Sequence, residues 1–323
     1  MPNGTEQPRV EKYLDECLAC FERAAVRAGG VLTRDFRIAG LPLRLRFAGP
    51  ALLPHILPAL EHHLGDLAED ASSLSLSLWD AQSTGERLPP PPWKATDYVV
   101  RGEIPGLCCG DLYTAFDPGF GALSILDGAR RRAVFQLPDA ERIPYYEHSS
   151  PLRSILHRWL EERGRQLMHA GAVGTPHGGV LVVGKGGSGK SCTCLKCLCS
   201  GLLYAGDDYT VLGFDPEPIV YSMYCSAKVN ADDVGRFPEL RDAVRNTATM
   251  EEEKALLFVR ATYPERLVRS LPLRAILVPR VEGSGATRAE PLSGAQALRA
   301  LAPSTIFQLP GAGRRSFEVL ARL

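Results

Sequence analysis

An α/β fold preceded by a smaller mixed α+β domain is predicted by three features of the sequence. An apolar run at Val180–Val183 opens straight into a glycine-rich loop, a helix pattern follows over Ser191–Ser200, and a second apolar run at Leu202–Ala205 delivers two adjacent carboxylates. Strand, loop, helix and strand in that order make the compact crossover unit of α/β sheets. At 323 residues the chain is long enough for two domains, each with its own core. The spacing of elements divides it into an accessory domain, 1–148, with a possible substrate-recognition role, and a loop-bearing domain, 149–323.

The elements follow in chain order. Residues 10–28 carry apolar side chains at helical intervals and stop at Gly29-Gly30. Residues 35–49 alternate as paired strands about Gly40, residues 51–64 read as a helix, and Leu74–Trp79 alternates with period two. Four consecutive prolines, Pro89–Pro92, predict a stiff connector, because proline cannot continue a helix or a central strand. Short strand candidates at 96–104, 111–116, 121–126 and 133–138 are separated by Gly, Pro and Asp turn signals and predict hairpins. Ser149 or Ser150 is placed to cap a helix over Pro151–Met168, and Gly201 stops the helix that follows the loop. Further on, residues 251–270 read as a solvated helical face offering Lys254, Arg260, Arg266 and Arg269, with contact of some of them, Lys254 first, to phosphates or substrate as the alternative; the last residues, up to Leu323, read as helical.

Composition narrows the classes of partner. Lys plus Arg and Asp plus Glu stand at 37 each, so no general attraction to nucleic acid or to an anionic membrane is expected. The first residues lack an apolar signal core, and no apolar stretch reaches the roughly 18 residues a membrane helix needs, which predicts a cytoplasmic location. Nine cysteines, an odd number, cluster as Cys17/Cys20, Cys108/Cys109 and Cys192/Cys194/Cys197/Cys199, and are read as reduced thiols. Cys194 and Cys197 form a C-x-x-C, but with no second ligand pair at zinc spacing they are read as packing residues.

The chemistry is concentrated in the loop Gly184-Lys185-Gly186-Gly187-Ser188-Gly189-Lys190-Ser191, which fits G-x-x-x-x-G-K-[ST]. Glycines let successive backbone N–H groups wrap a phosphate chain, and the helix starting near Lys190, with Cys192 in its first turn, turns its positive end to the same charge. Lys190 is expected at the terminal phosphates of a nucleotide and Ser191 on the accompanying magnesium. After the second strand, Asp207 and Asp208 stand where ligands of open α/β sheets bind; one carboxylate can support the metal while the other accepts a proton. A plain Asp pair in a turn is the alternative. His169 precedes the loop strand; a lone histidine is more often structural than catalytic.

A histidine shortly before the strand, the loop GKGGSGKS, a short helix and the Asp207-Asp208 pair together resemble the catalytic domain of the HPr kinase/phosphorylase family, over about residues 150–281. The resemblance implies a P-loop kinase core similar to that of phosphoenolpyruvate carboxykinases. It also implies ATP and Mg2+ as cofactors, Lys190 on the phosphates, Ser191 and Asp208 on the metal, Asp207 as general base, and His169 assisting it or contacting the transferred phosphoryl group. The family's arginine-rich signature is not recognisable in SLPLRAILVPRV, nor its glycine-rich metal-side motif around YSMYCSAKVN. Divergent relatives of this kind include kinases of small ribosomally made peptides, so the resemblance directs the expectation to a serine of a peptide or protein. A nucleotide-binding regulatory module and a small-molecule kinase are the alternatives, and a homo-oligomer is among the partners considered.

Overall fold

The computed structural model describes residues 6–67, 73–94, 96–99, 102–281, 283, 286–306 and 313–323. Two compact units emerge: Met1–Pro58 with His63–Glu162, and Ala59–His62 with Arg163–Leu323. The main division thus falls between Glu162 and Arg163, past the 148/149 position read from the sequence. The fold is mixed α/β, and among the described residues no helix is long and apolar enough to cross a membrane.

The first unit is a mixed sheet backed by one long helix. Helix α1 (Glu6–Arg27) buries Tyr13, Leu14, Cys17, Cys20, Phe21, Ala24 and Ala25, a stripe at helical spacing, against Trp79, Leu123, Ile125 and Val134 of the sheet. Gly29 and Gly30 end it with φ of 84° and 128°. Strands β1 (Val31–Ile38) and β2 (Leu41–Ala48) form a hairpin about Ala39-Gly40, both at positive φ as a two-residue turn requires. Helix α2 (Leu53–Leu60), β3 (Leu74–Asp80), the short α3 (Ala81–Thr84), β4 (Leu112–Asp117), β5 (Ala122–Asp127) and β6 (Arg132–Leu137) follow. The six strands lie in the order β1-β2-β3-β6-β5-β4, with β3 parallel to both its neighbours and the other pairs antiparallel. Pro89–Pro92 forms neither helix nor strand. Of the strand candidate at 96–104, residues 100–101 lie outside the described residues; Glu103 makes one bridge, to Ala115.

Helices α4 (Tyr145–Ser149) and α5 (Arg153–Glu161) close this unit, and both ends of α5 correct the sequence reading. Neither Ser149 nor Ser150 caps it: Leu152 N donates to Glu147 Oε1 at 2.8 Å, while Ser149 Oγ donates to Tyr146 O at 2.8 Å. Nor does it run to Met168, because Gly164 takes a φ of 70° and the chain re-emerges as strand β7 (Gln166–Met168).

The second unit continues with β8 (Gly171–Thr175), β9 (Gly178–Val182), α6 (Lys190–Cys199), β10 (Leu203–Gly206), β11 (Thr210–Phe214) and β12 (Pro218–Ser222). Then come β13 (Ser226–Val229), α7 (Ala231–Val234), β14 (Ala255–Phe258), β15 (Ser270–Leu277), α8 (Gly294–Ile306) and α9 (Arg314–Leu320). Its seven-stranded sheet has the order β10-β8-β9-β15-β12-β11-β7, with β9 and β15 the parallel pair, and β13-β14 form a separate antiparallel ribbon. Alternate residues of the central strands feed two cores. Val173, Val182 and Tyr204 pack with α6 and the ribbon, while Ala172, Leu181, Val183 and Ala205 pack on the face that also buries Leu301 of α8 and Leu320 of α9.

The crossover β9-α6-β10 therefore skips one position: β8 lies between β9 and β10 and is antiparallel to both, because the tight β8-β9 hairpin already fills the adjacent slot. The helical face expected over residues 251–270 is also corrected. Ala255–Val259 is a buried run, four of its residues forming β14 against β13; its continuous apolar character suits a covered strand.

Candidate functional site

Strand β9 ends at Val182, and the loop that follows owes its path to glycine. Gly184, Gly187 and Gly189 hold φ of 146°, 77° and 93°, where other residues are strained. The loop is tight at its base and open at its crest: a Cβ on Gly184 would stand 2.6 Å from Ser188 Oγ, whereas one on Gly186 or Gly187 would meet nothing within 4 Å. Helix α6 starts at Lys190 with Gly189 as its cap residue and no side-chain cap, so its first N–H groups meet no capping side chain. The Ser188 hydroxyl is buried without a hydrogen-bond partner. Lys190 is buried, its ammonium donating to Gly184 O at 2.8 Å and Lys185 O at 3.3 Å. Burial pulls its pKa down, against the opposing charges of Asp208 and Asp207. An open glycine crest, an uncapped helix start, an orphaned hydroxyl and a desolvated cation form a donor set that fits a phosphate chain. Lys185 is exposed on the loop, and Cys192 turns its thiol toward the α6 core, where burial raises its pKa.

The paired carboxylates arrive at the end of β10 in opposite electrostatic states. Asp207 is 1% exposed; its Oδ2 accepts from Lys228 N at 3.3 Å, and the Ser191 hydroxyl stands against the carboxylate. Burial, reinforced by the charge of Asp208, lifts its pKa above the ordinary value, with Ser191 and Lys228 offsetting only part of this. Asp208 is half-buried, yet Lys228 and His169 outweigh its desolvation and hold it far below the ordinary carboxylate range. Its Oδ1 meets His169 Nε2 at 2.8 Å and its Oδ2 meets Lys228 Nζ at 2.6 Å. Adjacent residues in the bend that follows β10 thus face different neighbours.

Local packing fixes these positions. His169 sits in the β7-β8 connection, its ring tilted against Tyr209 at 5.3 Å between centroids. Gly171, two residues on, leaves no room for a side chain: a Cβ there would stand 2.4 Å from Cys194 Sγ and 3.1 Å from Asp207 Cα. On the other side, Tyr204 Oη donates to Ser226 O at 3.0 Å and pins the start of β13 to β10. Ala227 and Val229 of β13 enter the core, so Lys228 between them points the opposite way, to the carboxylates.

Of the residues singled out in the sequence, Lys190, Ser191, Asp207, Asp208 and His169 converge. Lys254 is exposed but close enough for its charge to depress the Lys190 pKa further. Arg260 pairs with Glu61, Arg266 donates to Leu198 O at 2.7 Å, and Arg269 donates to His62 O at 3.2 Å. Lys228 was missed; the available signal was a lone charge in the alternating run Ser226-Ala227-Lys228-Val229. Cys194 is inside the core, with Cys192, Cys197 and Cys199 packed against it. Among the described residues no three His, Cys, Asp or Glu side chains gather as a metal site. Ser191, beside Asp207, and Asp208 are the side chains that would hold a magnesium ion together with phosphate oxygens, in keeping with that ion's habit of binding through few protein ligands.

No family model matches the chain, and no curated protein matches it. Among solved structures, one similar in part is the Hpr(Ser) kinase/phosphatase from Coxiella burnetii, at 15% sequence identity and a TM-score of 0.26, over 35% of this chain and 64% of that one. The chain thus covers less than two thirds of that enzyme's length.

Proposed function

We propose that this chain is a kinase that passes the terminal phosphoryl group of magnesium-bound ATP to a serine hydroxyl of a peptide or protein. The observation that carries the reading is the buried Asp207 carboxylate, with a raised pKa, set against Ser191 of a phosphate-shaped loop. A base that binds its proton more tightly than a free carboxylate is better matched to a hydroxyl at neutral pH. Asp207 takes the serine proton as the serine oxygen attacks the terminal phosphorus; the bond to the diphosphate breaks, and ADP leaves with that electron pair.

Lys190 exchanges its loop carbonyls for phosphate oxygens, at no cost in new burial because the ammonium is already desolvated. The loop N–H groups and the start of α6 hold the rest of the chain of phosphates. When bound, magnesium supplies charge neutralisation at the phosphates, with Ser191 as its protein hydroxyl. His169 meets Asp208 at 2.8 Å and orients it. Positioning supplies most of the acceleration.

Incubation with γ-labelled ATP and a panel of seryl peptides and proteins, comparing wild type with Asp207→Asn, tests the reading. Label is expected on serine and its rate is expected to fall by about 10²–10⁴ in the variant. Undiminished transfer by Asp207→Asn removes the base. Nucleotide binding with no transfer to any acceptor assigns the chain to the regulatory class instead, and label on a small hydroxylated metabolite assigns it to the small-molecule kinases.

A further inference from the structure

A divalent ion at an Asp-Asp pair normally balances the second carboxylate; here that carboxylate is already balanced from within the chain. We infer that Lys228 is a built-in cation that stands where a metal would meet Asp208, so that the site takes its divalent ion through Ser191 and the nucleotide phosphates alone. This rests on the kinase reading and revises its metal side: Asp208 becomes a positioning residue, locked between an ammonium and an imidazole.

The geometry argues for it at three points. Both Asp208 oxygens are engaged, one by His169 at 2.8 Å and the other by Lys228 at 2.6 Å, and the Lys228 and Asp208 side chains are only 16% and 18% exposed. A metal approaching Asp208 would meet the Lys228 ammonium at one oxygen and the His169 ring at the other, and displacing either would leave a charge unpaired in a poorly solvated place. Second, Lys228 is held by more than its ammonium. Its backbone N–H donates to Asp207 Oδ2, its strand neighbours are core residues, and Tyr204 ties the strand to β10. A lysine so fixed acts as a permanent point charge rather than a mobile one. Third, the charges balance: Asp207 and Asp208 face Lys190 and Lys228, and Lys190 is the partner that a bound phosphate would draw away. Lys228, anchored on β13 rather than in the loop, stays with Asp208.

The test counts ions rather than turnover. Manganese is titrated into the full chain with ADP present, and bound ion is read by electron paramagnetic resonance for wild type, Lys228→Met, Lys228→Arg and the double variant Lys228→Met/Asp208→Asn. One manganese per chain is expected for wild type and for Lys228→Arg. Freed from its ammonium, Asp208 in Lys228→Met is expected to recruit a second ion, and the double variant to return to one. Two ions in the wild type, one in Lys228→Met, or none in the double variant each overturn the inference, the last because Asp208 would then be a ligand of the first ion. The double variant removes both charges at once and so keeps the test decisive if Lys228→Met does not fold, which a thermal melt shows. ADP titrated into wild type with magnesium in excess separates the two levels: if no ADP binds, the kinase reading itself has failed.

Discussion

Glu147 and Asp207 are both carboxylates withdrawn from solvent, and in both burial raises the pKa, yet one serves the fold and the other the proposed chemistry. Glu147, in the first unit, accepts the N–H of Leu152 and starts helix α5; Arg153 only partly counters the burial, and the pKa settles at about 7. Asp207, in the second, is aimed at the hydroxyl of a phosphate-type loop and sits next to a carboxylate driven the other way. A perturbed carboxylate alone does not mark a site. What marks it is a neighbour able to hold a ligand, and a paired group whose pKa moves in the opposite direction.

The sharpest way to break this contrast is to neutralise each carboxylate in turn. Asp207→Asn is expected to lower phosphoryl transfer by about 10²–10⁴ while Glu147→Gln leaves it within twofold, measured with labelled ATP on the same acceptor. Equal losses in the two variants would put the difference down to folding and dissolve the comparison.

Next in size is the pair that holds Asp208. Removing one partner of a fully buried ion pair costs about 3–5 kcal/mol, and this pair is 16% and 18% exposed, so Lys228→Met is expected to lose about 1–3 kcal/mol in urea titrations, with Lys228→Met/Asp208→Asn recovering part of it. A loss below about 1 kcal/mol would mean that the pair behaves like a surface bridge.

The carboxylate of the first unit makes a prediction in pH. Its folded pKa, about 7, lies above the ordinary 4.5, so between those values the folded chain binds the proton more tightly than the unfolded chain. Stability from Glu147 is therefore full below about pH 4.5 and drains away as pH rises toward 7, by an amount on the order of 3 kcal/mol. Glu147→Gln keeps an acceptor for Leu152 and cannot titrate. Relative to the variant, wild type should weaken across that window in denaturant titrations; a wild type that strengthens there reverses the sign and the account of its burial.

How much of this was legible in the sequence depends on the distance over which the cause acts. The stripe Tyr13 to Ala25, the turn signals that separate β4, β5 and β6, and the loop from Gly184 to Ser191 are set by near neighbours, and all were readable. The slot of β8 between β9 and β10 was not, because strand order comes from which pairings win across the sheet. The end of α5 was misread since Met168 and Leu167 suit either period, and Gly164 decided between them. At the site, Asp207 and Asp208 were evident as a pair, but their opposite states come from Lys228 and His169, each about 20 or more positions away in the chain and invisible to any local pattern. The buried strand at Ala255–Phe258 hid for a related reason, since the charged residues on either side resemble a solvated helix until its partner β13 is known.

The finest test of the contrast uses two glycines in place of two acids. Gly40, in the β1-β2 turn, and Gly187, at the crest of the loop, share nearly the same left-handed backbone, with φ of 81° and 77°, and a Cβ on either would meet nothing within 4 Å. The strain of an L side chain is therefore the same in both, about 1 kcal/mol, and Gly40→Ala and Gly187→Ala should lower stability equally in a urea titration. The difference lies in what the open space is for. At Gly40 it is solvent, whereas at Gly187 it is the room that a phosphate needs to reach the backbone, so Gly187→Ala is expected to weaken ADP binding at least tenfold and Gly40→Ala not at all. Equal ADP affinity in both variants would mean that the crest of the loop is only a turn, and that the resemblance to a phosphate cradle ends at its sequence.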